Sequence, residues 1–263
     1  MNVKKDSIVQ IVVVTLTVCF VCSIAVSMSA VLLRDKQNIN SELARKRNIL
    51  TAANVIDPAQ ATATEIEDIF SRAEVRLVDM NEGVFIDTAD SASPVDIASY
   101  NQRKAESDPQ LSVALNSKQD IASISRRENY SLVYYIQDGD KTAAIFPIRG
   151  YGLWSTLRGY LALSTEDYNT IIGITFYEHA ETPGLGGEVD NEKWKEQWRG
   201  KKLFTADGSA TIQLARGTEN SDYQVDALSG ATLTSNGVNN LISFWFGELG
   251  FEKLIRNIAS NKV

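Results

Sequence analysis

The sequence predicts an α+β protein: an N-terminal transmembrane helix followed by a domain with a mostly antiparallel sheet and flanking helices. Three observations carry that reading. Ser7 to Leu33 contains no charged residue and is dominated by Ile, Val, Leu, Phe, Cys and Ala, and about 20 such residues span a bilayer core. Beyond Asp57-Pro58 the chain offers short runs rich in Val, Ile, Tyr and Phe, bounded by Gly, Asp and Asn, the pattern of strands joined by turns. No such run leads into Gly-x-Gly-x-x-Gly or a Walker loop, which argues against a doubly wound nucleotide fold.

Residues 1–6 form an N-terminal flank carrying Lys4 and Lys5, and Ser29-Ala30 lies near the far end of the apolar run. Those are features of a cleaved signal peptide, but a signal core spans only about 7–15 residues, so 7–33 reads as a retained transmembrane helix. Gln10 sits near one end and no ionisable residue other than the two cysteines lies deeper, so the segment offers no ion path of its own. Cys19 and Cys22 have Cys-x-x-Cys spacing, yet one turn apart in an apolar helix they read as small packing residues.

Segment 34–57 is a juxtamembrane helix and linker, helical from Ile39 to about Val55 and broken by Asp57-Pro58. The domain proper is 58–263. Its first helix begins at Thr64, where Thr64-x-x-Glu67 forms a capping box and Ile66, Ile69, Phe70 and Ala73 share a face. Strands follow at Val75–Leu77, Val84–Ile86, Ser131–Gln137, Thr142–Ile148, Gly159–Leu163 and Ile171–Tyr177, with Asp138-Gly139-Asp140 as a hairpin turn. The polar stretch 87–116 is irregular or partly helical. Glu192 to Trp198 is a short helix with Trp194 and Trp198 inward. Val238, Leu241, Ile242 and Trp245 recur at helical spacing behind the N-cap candidates Ser235 and Asn236.

Composition removes several functions. The 33 acidic residues outnumber 26 basic ones, a net charge of −7 without a basic stripe, so nucleic acid is not a partner. With His179 the only histidine and both cysteines in the apolar run, the soluble part has no supply for a disulfide framework or a structural zinc site. Ser229 with His179 is the one hydrolytic pairing on offer, and no Gly-x-Ser-x-Gly elbow surrounds Ser229. Arg34, Lys36, Arg45, Lys46 and Arg47 follow the apolar run, so the positive-inside count alone favours a cytoplasmic domain.

Three loops stand out. Asp226-Ala227-Leu228-Ser229-Gly230-Ala231-Thr232-Leu233-Thr234-Ser235 precedes the last strongly periodic segment. Its small residues let backbone approach a bulky anion, Gly230 is free to take a positive φ, and the helix start behind it favours negative charge. By itself the bare Ser-Gly-Ala-Thr reads as a small-residue turn capping a core helix, since short motifs match often by chance. His179-Ala180-Glu181-Thr182-Pro183-Gly184-Leu185-Gly186-Gly187 follows the strand ending at Tyr177 and is by itself an ordinary Gly-rich loop. Arg149-Gly150-Tyr151-Gly152-Leu153-Trp154 precedes the strand at Gly159, and a lone Trp154 more often serves packing than a cofactor.

Together and in this order, the three loops resemble the FMN-binding domain of certain membrane redox subunits, in which the Thr of Ser-Gly-Ala-Thr carries FMN through a phosphoester. The motifs fall within 144–249, and the looser likeness covers the whole chain. The resemblance implies covalent FMN on Thr232, with Asp226, Ser229, Gly230, Ala231 and Thr234 around the attachment point; Ser229 or Thr234 are the alternative acceptors. It also implies that Glu181, Thr182, Gly184 and Leu185 line the flavin and that Gly152, Leu153 and Trp154 form a flavin-side turn. The pattern is most similar to the C subunits of Na+-translocating NADH:quinone reductases. The G subunits of Rnf-type ferredoxin:NAD oxidoreductases share the motifs but are shorter, and the long segment before Gly150 favours the first. The implied function is electron relay within a membrane complex, with no complete active site in this chain and NADH bound elsewhere. Implied neighbours are the other membrane subunits, the lipid bilayer and, during maturation, a flavin transferase. The resemblance puts the domain in the periplasm of a bacterial inner membrane, against the charge count, and large domains translocate largely regardless of charge. A membrane-tethered assembly protein without flavin is the rival reading.

Overall fold

The computed structural model describes residues 8–87, 93, 95–97, 99–139, 141–205, 212–217 and 221–261. Helix α1 (Ile8–Ala52) is continuous, and the chain divides within it into two compact units, Met1–Ala44 and Arg45–Val263. In the first unit the large apolar side chains from Ile8 to Leu33 are exposed. The hydroxyls of Thr15, Thr17, Ser23 and Ser29 each donate to the carbonyl four residues back, at 2.7–2.9 Å, so these four polar groups are satisfied within the helix, as a bilayer favours. This helix is long and apolar enough to cross a membrane.

The expected membrane and juxtamembrane helices are one element, because nothing between Leu33 and Ile39 is Gly or Pro and a helix continues until a breaker stops it. It ends where Asn54 turns left-handed at φ 57°, a conformation Asn tolerates. The flank 1–6, including Lys4 and Lys5, lies outside the described residues.

The second unit continues with α2 (Ala63–Ser71), β1 (Glu74–Asp79), β2 (Val84–Ile86), α3 (Gln102–Ala105), β3 (Ser112–Ala114), β4 (Arg126–Glu128), β5 (Tyr130–Asp138), β6 (Lys141–Tyr151), β7 (Thr156–Ser164) and β8 (Ile171–Glu178). After a 3-10 turn at Gly186–Asp190 come α4 (Glu192–Glu196), β9 (Gln213–Ala215), β10 (Gln224–Asp226), α5 (Thr232–Trp245) and α6 (Glu252–Ala259). The main sheet has six strands in the order β2-β1-β5-β6-β7-β8, every neighbouring pair antiparallel. The fold is α+β, as the sequence predicts; β9 and β10 add a small parallel pair.

Strand alternation divides the sheet's residues between two buried faces. Val133, Tyr135, Ala144, Phe146, Leu157 and Leu161 join the core around α5 and α6, where the Phe146 ring meets those of Phe246 and Phe251 at 5.7 and 4.9 Å. Tyr134, Ile145 and Tyr160 face the other way. There the end of α1 covers the sheet, with Arg45 Nη1 donating to Tyr134 Oη at 3.0 Å. Helix α5 lies so close on β6 that a Cβ at Gly150 would come within 2.5 Å of the Leu241 Cβ, and one at Gly237 would strike the Tyr151 carbonyl. That contact fixes where the N-terminus of α5 emerges.

The predicted strands are all present. The cap of α2 is displaced: Thr62, in extended conformation, accepts from Glu65 N at 3.3 Å, so Thr62 is the N-cap and Thr64 lies inside the helix. Helix α5 begins at Thr232, ahead of the expected Ser235 or Asn236, because the turn at Gly230 (φ 71°) already directs the chain into it. Ser235 spends its hydroxyl locally, donating to Ala231 O at 3.0 Å and accepting from Leu228 N at 3.0 Å. Regular structure does resume at Gly186, as the 3-10 turn. Gly139 is left-handed (φ 59°), as a hairpin turn requires, while Asp140 lies outside the described residues, as do 88–92, 94 and 98 of the polar stretch. The three-residue strands β3, β4, β9 and β10 and helix α6 had no counterpart in the sequence reading.

Candidate functional site

The three loops singled out in the sequence meet at one buried carboxylate. Glu181, 5% exposed, lies in the loop after β8. Its Oε1 accepts the backbone N–H groups of Leu153, Trp154 and Ser155 at 3.1, 3.0 and 3.2 Å, all in the β6–β7 turn. Its Oε2 accepts the Thr234 hydroxyl of α5 at 2.6 Å. A Cβ at Gly152 would lie 2.7 Å from Oε1, and one at Gly186 would lie 2.8 Å from Oε2 and 2.5 Å from Thr234 Oγ1. Glycines in two of the loops are therefore required by close approach to one side chain.

Burial opposes ionisation of Glu181, but the Thr234 hydroxyl and the N–H groups of Trp154, Leu153 and Ser155 outweigh it and hold the carboxyl below its ordinary value. Fixed neutral dipoles favour its charged form. Glu181 thus faces the other two loops as their fastener.

His179 braces the same loop. Its Nδ1 accepts from Glu181 N at 3.2 Å, which leaves Nε2–H to donate to Asp190 Oδ2 at 2.7 Å and fixes the neutral tautomer. Neither ring nitrogen is left to act as a base for Ser229. Thr182 O accepts from Leu185 N and Gly187 N at 3.1 and 2.9 Å, and Gly184 is left-handed at φ 76°. Thr182, Gly184 and Leu185 are exposed, with Leu185 close enough to Gly230 that a Cβ there would come within 3.0 Å of its Cδ2. Arg149 is buried and structural, its Nη2 on Glu128 Oε2 at 2.8 Å and its carbonyl accepting from Trp245 Nε1 at 2.7 Å.

The hydroxyls near the end of α5 differ sharply in availability. Thr234 is fully buried and committed to Glu181. Thr232 and Ser229 are exposed. Thr232 opens the helix, and its N-cap, Ala231, has no side chain to cap it. The N–H groups of Thr232, Leu233 and Thr234 find no acceptor among the described residues. Arg216, just after β9, donates from Nη2 to Thr232 Oγ1 at 3.4 Å. Asp226 closes β10, its N–H on Gln197 Oε1 at 3.0 Å and its carbonyl accepting from Trp194 Nε1 at 2.8 Å, so the loop to Thr232 starts from a fixed point.

Free N–H groups, a cation, an exposed hydroxyl and small residues at Ser229, Gly230 and Ala231 suit a phosphate ester. Around them Trp154, Leu233 and Leu185 are 65, 58 and 44% exposed. They leave apolar surface exposed, one side chain from each segment that Glu181 joins. The donor set therefore fits a flavin phosphate. Arg216 was missed in the sequence because a three-residue strand gives no periodic signal and its partner lies 16 residues away.

The FMN-binding domain family model matches residues 152–246, which takes in the β6–β7 turn, the Glu181 loop and α5. The chain is 44% identical to the C subunit of the Na(+)-translocating NADH-quinone reductase of Pseudomonas aeruginosa, covering 98% of this chain and 99% of the relative. It is 41% identical to the corresponding C subunit of Vibrio parahaemolyticus, covering 97% of each. The crystal structure of Shewanella oneidensis NqrC superposes with a TM-score of 0.72 at 34% identity over 82% of this chain and 96% of that one. The C subunit of the Parabacteroides distasonis reductase, at 24% identity and a TM-score of 0.63 over 85 and 96% of the two chains, shares the fold.

Proposed function

Because this chain belongs to the family of Na(+)-translocating NADH-quinone reductase C subunits, we propose that it is the electron-transfer flavoprotein subunit of such a complex, carrying FMN covalently on Thr232 through a phosphoester. The observation that carries the attachment site is the contrast within α5: Thr232 is an exposed hydroxyl at an uncapped helix start, whereas the Thr234 hydroxyl is buried on Glu181. A flavin transferase can reach the first and not the second.

When bound, FMN supplies the redox chemistry. The protein's part is position. The N–H groups of Thr232, Leu233 and Thr234 would hold the phosphate, and Trp154, Leu185 and Leu233 would give apolar contact to the isoalloxazine. Thr182, exposed beside them, is a hydrogen-bond donor for its polar edge. Glu181 keeps the three segments in register so that those contacts exist together. With Trp154, Leu185 and Leu233 exposed, a ring held against them would stay within reach of the electron donor and acceptor, which belong to partner subunits, as does the NADH site. Helix α1 anchors the chain in the bilayer, with the soluble unit on the periplasmic side of a bacterial inner membrane.

The test is peptide mass spectrometry on protein from its native membrane after denaturation. A mass increase of one FMN less one water on the peptide containing Thr232, absent in Thr232→Val, is the expected result. An unmodified peptide with no visible absorbance in the intact protein would mean a tethered assembly role without flavin.

A further inference from the structure

Among the described residues, only the Thr232 hydroxyl accepts a hydrogen bond from the exposed Arg216. Several arginines lie against carboxylates, as Arg158 on Glu106 at 2.7 Å and Arg72 on Asp68 at 3.0 Å, and others are spent on carbonyls, as Arg127 on Leu249 O at 2.9 Å. Among the described residues Arg216 meets no carboxylate, and its one hydrogen bond goes to the Thr232 hydroxyl. At 3.4 Å that bond is long, and a guanidinium spends only one of its five N–H groups on it.

Its position is nonetheless tightly set. β9 runs parallel to β10, with Ala215 opposite Asp226, and Ala227 N donates to Ala215 O at 2.9 Å. On the other side Leu214 is clamped to α5 by Asn239, whose Oδ1 accepts from Leu214 N at 2.7 Å and whose Nδ2 donates to Leu214 O at 3.3 Å. The backbone just before Arg216 is therefore tied both to the strand entering the Asp226–Thr232 loop and to the helix leaving it. The guanidinium is delivered to Thr232 Oγ1 from a fixed base.

We propose that Arg216 is the phosphate-binding residue of the tethered cofactor, a role that rests on Thr232 being the attachment site. Esterifying Oγ1 places two non-bridging oxygens, sharing one negative charge, beyond the atom that the guanidinium already reaches. A planar fork of N–H donors matches two such oxygens in a way that a point charge does not. The N–H groups at the start of α5 take the other side of the same phosphate. Arg216 then pins the ribityl chain at its protein end, so that Trp154, Leu185 and Leu233 have a ring of restricted reach to receive.

The experiment compares full-length wild type, Arg216→Gln and Arg216→Lys, each purified from native membranes. Loading is read by peptide mass and the ester by its 31P resonance, referenced to the flavinylated peptide released by proteolysis. The wild-type resonance is expected to be displaced from that of the peptide, Arg216→Gln to lose most of the displacement, and Arg216→Lys to keep part of it. All three should share one thermal midpoint, since Arg216 is exposed. Loading lost in Arg216→Gln but retained in Arg216→Lys also supports the proposal. An Arg216→Gln protein loaded and resonating like wild type overturns it. So does loss of loading in both variants with the fold intact, which assigns the arginine to recognition by the maturation enzyme. Wild type without flavin on Thr232 overturns the attachment site itself, a result distinct from all of these.

Discussion

Glu181 shows how far a residue's identity can be legible while its job is not. The sequence marks it through the Gly-rich loop and, by resemblance, as a flavin-lining group; the structure adds that its carboxylate ties the β6–β7 turn to α5. That role depends on residues distant in sequence, which no local pattern reveals. Replacing it with Gln offers an NH2 where an acceptor is needed, and a buried donor left without a partner costs about 1–3 kcal/mol. Glu181→Gln is expected to lose that much in urea unfolding. The folded-state value of Glu181 is depressed, so its contribution is present above the unfolded carboxyl value, about 4.3, and is lost as pH falls through the lower folded value. Stability of the wild type should therefore fall on acidification below about pH 4, and part of that fall should be missing in Glu181→Gln. Only part, because the exposed Asp167, against some desolvation, is also held low by Lys202 and Thr170 and titrates in both proteins. The two threonines make a matched pair. Thr234→Val leaves the Oε2 of Glu181 with only the Leu153 N–H, at 3.2 Å, and should cost about 1 kcal/mol, the worth of a lost hydrogen bond, while leaving flavin on Thr232. Thr232→Val should change stability by less than about 0.5 kcal/mol, as surface substitutions do, while abolishing attachment.

Among the elements, the long strands were readable because their alternation spans enough residues to fix both faces, as in β6 with Ala144, Phe146 and Ile148 opposite Ala143 and Ile145. The three-residue strands β9 and β10 carry no such period and owe their existence to the pairing of Val225 with Leu214. The start of α5 was misplaced for a different reason. Ser235 has the chemistry of a cap, but its hydroxyl closes the Leu228–Ala231 turn, and the real N-cap is an alanine that no cap preference selects. The seating of this helix rests on missing side chains. At Gly237 an added methyl meets the backbone of Tyr151 and Gly152, which cannot rotate aside, so Gly237→Ala should shift α5 and cost about 1–3 kcal/mol, the usual effect of overpacking. Because the same shift moves the exposed Thr232 and the free N–H groups at the start of α5, this variant should also lose flavin loading, measured by in-gel fluorescence. Unchanged stability and loading would show that the helix is not held by this contact.

For the molecule as a whole, the question is the side of the membrane, and the structure changes how the basic residues count. Counting both flanks puts Arg34, Lys36, Arg45, Lys46 and Arg47 against Lys4 and Lys5 and favours a cytoplasmic domain. Three of those charges belong to the folded unit. Arg45 donates to Tyr134 Oη at 3.0 Å, Lys46 pairs with Glu67 at 2.5 Å, and Arg47 donates to Ala61 O at 3.5 Å. Their presence is explained by docking of the helix end onto the sheet and α2, and only Arg34 and Lys36 remain as juxtamembrane charge against Lys4 and Lys5. The two flanks then balance, and the count no longer opposes a translocated domain. With no cysteine beyond Cys22, a single thiol at the exposed Ser117 reports the side directly. Ser117→Cys is expected to react with a membrane-impermeant maleimide in cells whose outer membrane alone has been permeabilised. Protection until the inner membrane is opened would return the domain to the cytoplasm and leave the basic cluster as its topogenic signal.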